Sequence, residues 1–146
     1  MTLEKDDIEM FRSPILHERE IDGAQARIFE NRIYHLKIPR YKKVTLTFVE
    51  KGYDFINAAG GGRYFNIFEF SSFSDMDPEV RDWAADKTKN PNTYTDAIIV
   101  KSFAHKIIAN FYLKFNRPSK PTKIFTNLES AVEWTLVQVE KFDKSK

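Results

Sequence analysis

The chain contains no cysteine, which excludes disulfides, a thiol nucleophile and cysteine-ligated zinc, and which suits a reducing compartment. Glycine is scarce, five residues in all, yet three of them are consecutive: Gly60, Gly61 and Gly62. No apolar run approaches the roughly 18–20 residues that span a bilayer, so no membrane span is expected. The opening MTLEKDDIEMF is acidic and lacks an apolar core segment, which argues against a secretory signal. Neither sign of charge dominates. Lys and Arg number 23 against 21 Asp and Glu, a net charge of +2, and nothing in that balance marks a nucleic-acid binder. A cytoplasmic location is the expectation.

What the chain does have is core material. Of its 146 residues 42% are hydrophobic and 13 are Phe, enough for one domain with a substantial core. Residues 1–22 read as a loosely ordered lead-in, 23–141 as the folded domain and 142–146 as a charged tail. A short extended piece is expected around Ile15 to Glu20. Ala26, Ile28, Ile33, Leu36 and Ile38 mark two strands joined at Glu30-Asn31-Arg32, with Asn31 suited to a positive φ.

The period then changes. Val44, Phe48, Gly52, Phe55 and Ala59 recur at helical spacing behind Thr45, which suits an N-cap. Gly52 on the inner face implies close packing of backbone against a sheet. Tyr64 to Phe70 is a strand; Asp77-Pro78-Glu79 opens a second helix. Ala97-Ile98-Ile99-Val100 is the apolar run of a central strand. Ser102 caps a third helix, Phe103 to about Phe115, with an inner stripe of Phe103, Ile107, Phe111 and Phe115. Lys123 to Phe125 is a last short strand. Thr126-Asn127-Leu128-Glu129 reads as a capping box, opening a helix whose inner stripe is Leu128, Ala131, Val132, Thr135 and Val139. The order ββαβαβαβα predicts an α/β fold: a mixed, mostly parallel sheet opened by a β-hairpin, with helices packed on it.

That order also reads the glycine triplet. Glycines that cradle phosphate follow a strand and open a helix, because the anion sits on free helix N–H groups. Gly60 to Gly62 follow a helix and open a strand. They predict a helix C-cap and a turn, not a nucleotide site.

The strings "RIYHLKIPRYKKVT", "YTDAIIVKS", "IIANFYLKFNRPSKPTKIF" and "LESAVEWTL" cover most of the chain from Gly23 to Val139. With the element order, they resemble the SpoIIAA-like (STAS-type) proteins, closest to uncharacterised bacterial members. The resemblance implies that fold and a regulatory role. Signalling members carry a phosphorylatable Ser and a Gly at the helix start after the third strand. Here that start is Asp77-Pro78, and Ser71, Ser72 and Ser74 lie upstream, so no kinase-dependent switch is expected at that turn.

No constellation of catalytic type stands out. There is no Gly-x-Ser-x-Gly string, and His17, His35 and His105 lack metal-ligand spacing. Glu69, Asp75, Asp77 and Glu79 cluster at one strand exit, but the acids at the helix start already serve it. The basic runs Lys37 to Lys43 and Lys114 to Lys123 fall at opposite ends of such a sheet, so no nucleic-acid surface is expected. The third helix carries extra apolar residues, and Ile108, Tyr112 and Leu113 are candidates for a homodimer interface.

The reading is a non-enzymatic regulatory or interaction module, without cofactor or metal, that binds a protein partner or small ligand. Its candidate residues gather at the C-terminal strand ends: Arg40, Tyr41, Ser71, Ser72, Ser74, Asp75, Ser102, Thr126 and Asn127. A carrier of an apolar ligand is the alternative. A small hydrolase using one of the three serines comes third.

Overall fold

Asp22 and Gly23 take φ of 47° and 90°. Two successive positive angles make the two-residue turn that matches strand twist, and they fold β1 (Ile15–Ile21) back onto β2 (Ala24–Phe29) in antiparallel register. In the computed structural model, which describes residues 8–86, 93–115 and 120–145, this hairpin is the edge of the main sheet. The segment expected to be a loose lead-in is therefore ordered from Ile8 onward. Ahead of β1, Phe11 is fully buried and stacks on Phe29 with ring centroids 4.2 Å apart.

A three-residue loop leads to β3 (Ile33–Ile38). Positive φ falls on Arg32, at 72°, and not on Asn31 as expected. Asn31 is committed elsewhere: its side-chain amide donates to the Phe11 carbonyl, and its Oδ1 accepts from the Ile33 N–H.

From β3 the chain alternates. A two-residue β4 (Lys43–Val44) precedes α1 (Leu46–Ala58), where Thr45 Oγ1 accepts from the Phe48 N–H as an N-cap. At the other end, the Gly61 N–H donates to Ile56 O and the Gly60 N–H to Asn57 O. This is a Schellman cap, and all three glycines have positive φ. They turn the chain into β5 (Tyr64–Phe70).

Next come β6 (Asp75–Met76), α2 (Pro78–Ala85), β7 (Thr93–Ile99), α3 (Phe103–Phe115), β8 (Thr122–Phe125) and α4 (Leu128–Lys144). The main sheet has the order β1-β2-β3-β5-β7-β8, with β3, β5, β7 and β8 parallel, while β4 and β6 form a separate parallel pair. The fold is thus α/β with a mixed, mostly parallel sheet and helices packed on it.

The two faces of the sheet are covered differently. Ala131, Val132 and Thr135 of α4 are fully buried, with Phe65, Ile67, Ala97 and Ile99 of the sheet among the core they join. Helices α1 and α2 lie on the other face over Leu36, Ile38 and Phe70, and α3 shares a cavity with them. Chain leaving β7 enters the layer of α1 to α3, whereas chain leaving β8 enters α4.

The third helix turns a different side inward from the one expected. Phe103 is 80% exposed and Ile107 54%, while Tyr112, assigned to a dimer interface, is only 6% exposed. The inward residues are Ala109 and Tyr112, with His105 half-buried; Leu113 is half-buried and Ile108 exposed. Phe111 and Phe115 lie outside the described side chains. The sheet beneath α3 presents polar side chains, and tyrosine suits that floor better than phenylalanine.

Candidate functional site

Strand register places a polar row across the face beneath α1 to α3. Tyr34 of β3 is opposite Asn66 of β5, Asn66 opposite Asp96 of β7, and Asp96 opposite Thr122 of β8. Two residues further along each strand the row is apolar: Leu36, Phe68, Ile98 and Ile124. Because side chains alternate with period two, both rows share one face, polar towards the strand N-termini and apolar towards the C-termini.

Over these rows lies a cavity of about 170 Å³, walled by the sheet and by all three helices. Its sides include Phe48 and Gly52 of α1, Val80 and Trp83 of α2, and Ala109 and Tyr112 of α3.

Gly52 shows why the helix layer stands off. A Cβ built there would meet only the Tyr34 hydroxyl, at 3.5 Å, an ordinary contact. The expected close approach of helix backbone to sheet is absent, and the glycine instead borders the cavity.

The polar end is densely bonded. The Asn66 side-chain amide donates to Thr93 Oγ1 (2.9 Å) and to Asp96 Oδ1 (3.0 Å). Lys120 Nζ lies 3.3 Å from Asp96 Oδ2, both side chains buried, and donates to the Ala84 carbonyl at 2.7 Å. Burial pushes the Asp96 carboxyl up, opposed by the Lys120 charge and the Asn66 amide. Burial likewise raises the phenols of Tyr34, Tyr53 and Tyr112, so all three stay protonated donors. Among the described residues, three atoms of the cavity wall have no hydrogen-bond partner: Tyr34 Oη, Asn66 Oδ1 and His105 Nδ1. A buried polar group without a partner costs about 1–3 kcal/mol, so such a cluster is itself informative.

Of the residues singled out in the sequence, only Tyr112, whose phenol lies near Asp96, stands at this polar end. Ser74, Asp75, Ile108 and Tyr112 do line the cavity. Ser74 Oγ donates to the Ser71 carbonyl and no histidine contacts it; Asp75 Oδ1 accepts from the Met76 N–H. Arg40 and Tyr41 lie outside, where the Tyr41 and Phe73 rings stack at 5.2 Å with the Arg40 guanidinium about 5.5 Å from each. Both ring-bearing residues are exposed and have positive φ, a strained backbone for bulky side chains. Ser72 sits half-buried in the same loop.

Ser102, Thr126 and Asn127 line a separate groove with Lys101 and Lys106. There Ser102 Oγ caps α3 and Asn127 Oδ1 caps α4, by accepting from the His105 and Ser130 N–H groups. Asn127, not Thr126, is the N-cap. Asp77 holds the N-cap position of α2, but its carboxylate pairs with Lys43 at 3.2 Å in place of a helix N–H.

A second polar cluster lies on the α4 face. His35 Nε2 is 3.0 Å from Glu69 Oε1, and Lys101 Nζ is 3.2 Å from Glu69 Oε2. The buried Arg27 pairs with Glu18 at 2.7 Å on the neighbouring strand. Burial lowers His35, which stays neutral and donates to Glu69. Burial pushes the Glu69 carboxyl up, but the hydrogen bonds from His35 and Lys101 and the Lys101 charge outweigh it and hold it well below the usual range. His35 and Glu69 line neither the cavity nor the groove. Among the described residues, no three His, Asp or Glu side chains form a group that could hold a metal, and no helix is long and apolar enough to cross a membrane.

Residues 28–137 match the model of the family described as Domain of unknown function (DUF7793). The chain belongs to that family. The match runs from the end of β2 into α4, so it includes the polar row, the three covering helices and the groove. No curated protein and no solved structure matches the chain.

Asn66 and Asp96 went unread in the sequence, although each is a polar residue inside an otherwise apolar strand. That signal points to a buried polar group. It does not say that two such groups will be neighbours, because pairing register joins strands 30 residues apart.

Proposed function

We propose that this domain is a non-enzymatic small-ligand-binding module of SpoIIAA-like fold, and that its ligand lies between the sheet and α1 to α3. The observation that carries this reading is the 170 Å³ cavity with its polar end and apolar body. Ligand sites are concave, mostly apolar, and oriented by a few placed polar groups, which is how this wall is built. The cavity moves the carrier of an apolar ligand from an alternative to the favoured form of the reading.

Native mass spectrometry of freshly purified protein, with thermal-shift screening of small apolar compounds, tests it. The expected result is a retained or added small molecule whose binding is blocked in Ala109→Leu, where the added carbons occupy the cavity. Wild type and Ala109→Leu behaving alike against every compound, with no retained mass, would remove the proposal.

The outer face of α3 supports a second reading, contact with a partner or second copy. Phe103 and Ile107 are both largely exposed on it.

A further inference from the structure

Building on the proposed cavity site, we infer that its ligand is a small neutral amphiphile: a ring-sized apolar body carrying one hydroxyl head. The polar end supplies the head's partners. Tyr34 is 3% exposed and Asn66 6%, and both line the cavity. Among the described residues Tyr34 Oη has no partner, and Asn66 Oδ1 is unpaired although the same amide's nitrogen makes two bonds. One is a donor and the other an acceptor only. A hydroxyl group can accept from the first and donate to the second, which a methyl, a carboxylate or an ammonium cannot do together.

Charge points the same way. Asp96 and Lys120 are the buried ions at this end, and each is already engaged: Asp96 with Asn66 and Lys120, Lys120 with Asp96 and the Ala84 carbonyl. Their pairing leaves no net charge for an ionised head, and an unpaired ion brought here would lose its hydration. Of the other titratable lining groups, Asp75 is exposed, and Arg81 and His105 are half-buried. The body of the ligand faces Leu36, Phe68 and Ile98. A volume of about 170 Å³ is close to that of the roughly 150 Å³ cavity known to take benzene, so one substituted ring fits.

Three probes of nearly one shape separate the claims: p-cresol, p-xylene and 4-methylbenzoate, titrated by calorimetry into wild type and Tyr34→Phe at neutral pH. The expected result is p-cresol binding at least tenfold more tightly than p-xylene or 4-methylbenzoate, with that advantage lost in Tyr34→Phe. This variant keeps the ring and removes only an unpartnered hydroxyl, so it should unfold at a temperature no lower than wild type. If p-xylene binds as well as p-cresol, the hydroxyl head is refuted while the cavity site stands. If 4-methylbenzoate binds best, the neutral head is refuted. If none of the three binds, the cavity reading itself fails.

Discussion

Replacing Gly52 by alanine tests whether α1 stands off the sheet. Glycine in a helix interior costs about 1 kcal/mol relative to alanine, because its backbone loses more freedom on folding. At this position the backbone φ is not positive, and the new Cβ would meet only the Tyr34 hydroxyl, at 3.5 Å. No strain therefore offsets the gain. The added methyl also takes up part of the cavity, and full burial of one such group is worth about 0.8 kcal/mol. Gly52→Ala should thus stabilise the unliganded domain by about 1 kcal/mol or slightly more. In a chain of this size that raises the melting temperature by roughly 3 °C. Urea unfolding should show a higher midpoint with an unchanged slope, the mark of a change in stability without a change in the surface exposed on unfolding. The same methyl stands beside the hydroxyl proposed to hold the ligand, so binding should weaken as stability rises. A loss of 1 kcal/mol or more would refute the reasoning, because it would mean that helix backbone rests on the sheet and no cavity separates them.

Two further outcomes follow from the clusters outside the cavity. His35 is buried and neutral with its pKa lowered, so the unfolded chain binds a proton there that the folded chain does not; stability should fall as pH drops below the ring's ordinary 6.5. Glu69, also lowered, adds a second loss below the ordinary 4.5; His35→Gln should flatten the first decline in melting temperature, and equal slopes above pH 5 in the two proteins would contradict it. If the outer face of α3 is a dimer interface, sedimentation should show a dimer that Ile107→Glu converts to monomer without loss of helix, since Ile107 is not core. A wild type that is monomeric at high concentration would end that reading.

Local rules made much of this fold legible. Thr45 and Ser102 accept helix N–H bonds as expected, and the glycine triplet's place after a helix marked it as a cap; for the last helix the capping box was read one residue early, on Thr126 in place of Asn127. Asp22-Gly23 was equally readable, and overlooking it left β1 outside the expected domain. The face of α3 was not readable by counting rings. Apolar residues surround that helix, so the inward side is decided by what the sheet offers, and beneath Tyr112 it offers Asp96 and its polar neighbours. The cavity was beyond sequence for a different reason. Its volume is a difference between layers, fixed by how far α1 to α3 stand from the strands, and no single residue encodes that distance.

The two faces of the sheet explain how such a cavity can be tolerated. Under α4, the rings of Phe65, Tyr94 and Phe142 contact one another, Phe125 meets Trp134, and Val132 and Ala131 close the layer. That side is filled, and burial there does not depend on the opposite helices. On the α1 to α3 side the strands change character along their length, from Tyr34, Asn66 and Asp96 to Leu36, Phe68 and Ile98. A fully packed helix layer would have to satisfy the polar row and cover the apolar row at once. The phenol of Tyr53 and the amine of Lys120 serve the first demand only in part, since among the described residues Tyr34 Oη and Asn66 Oδ1 still have no partner. The unmet polar demand and the unfilled apolar volume lie within one space. The amphiphile proposed above, polar at one end and apolar at the other, would answer both.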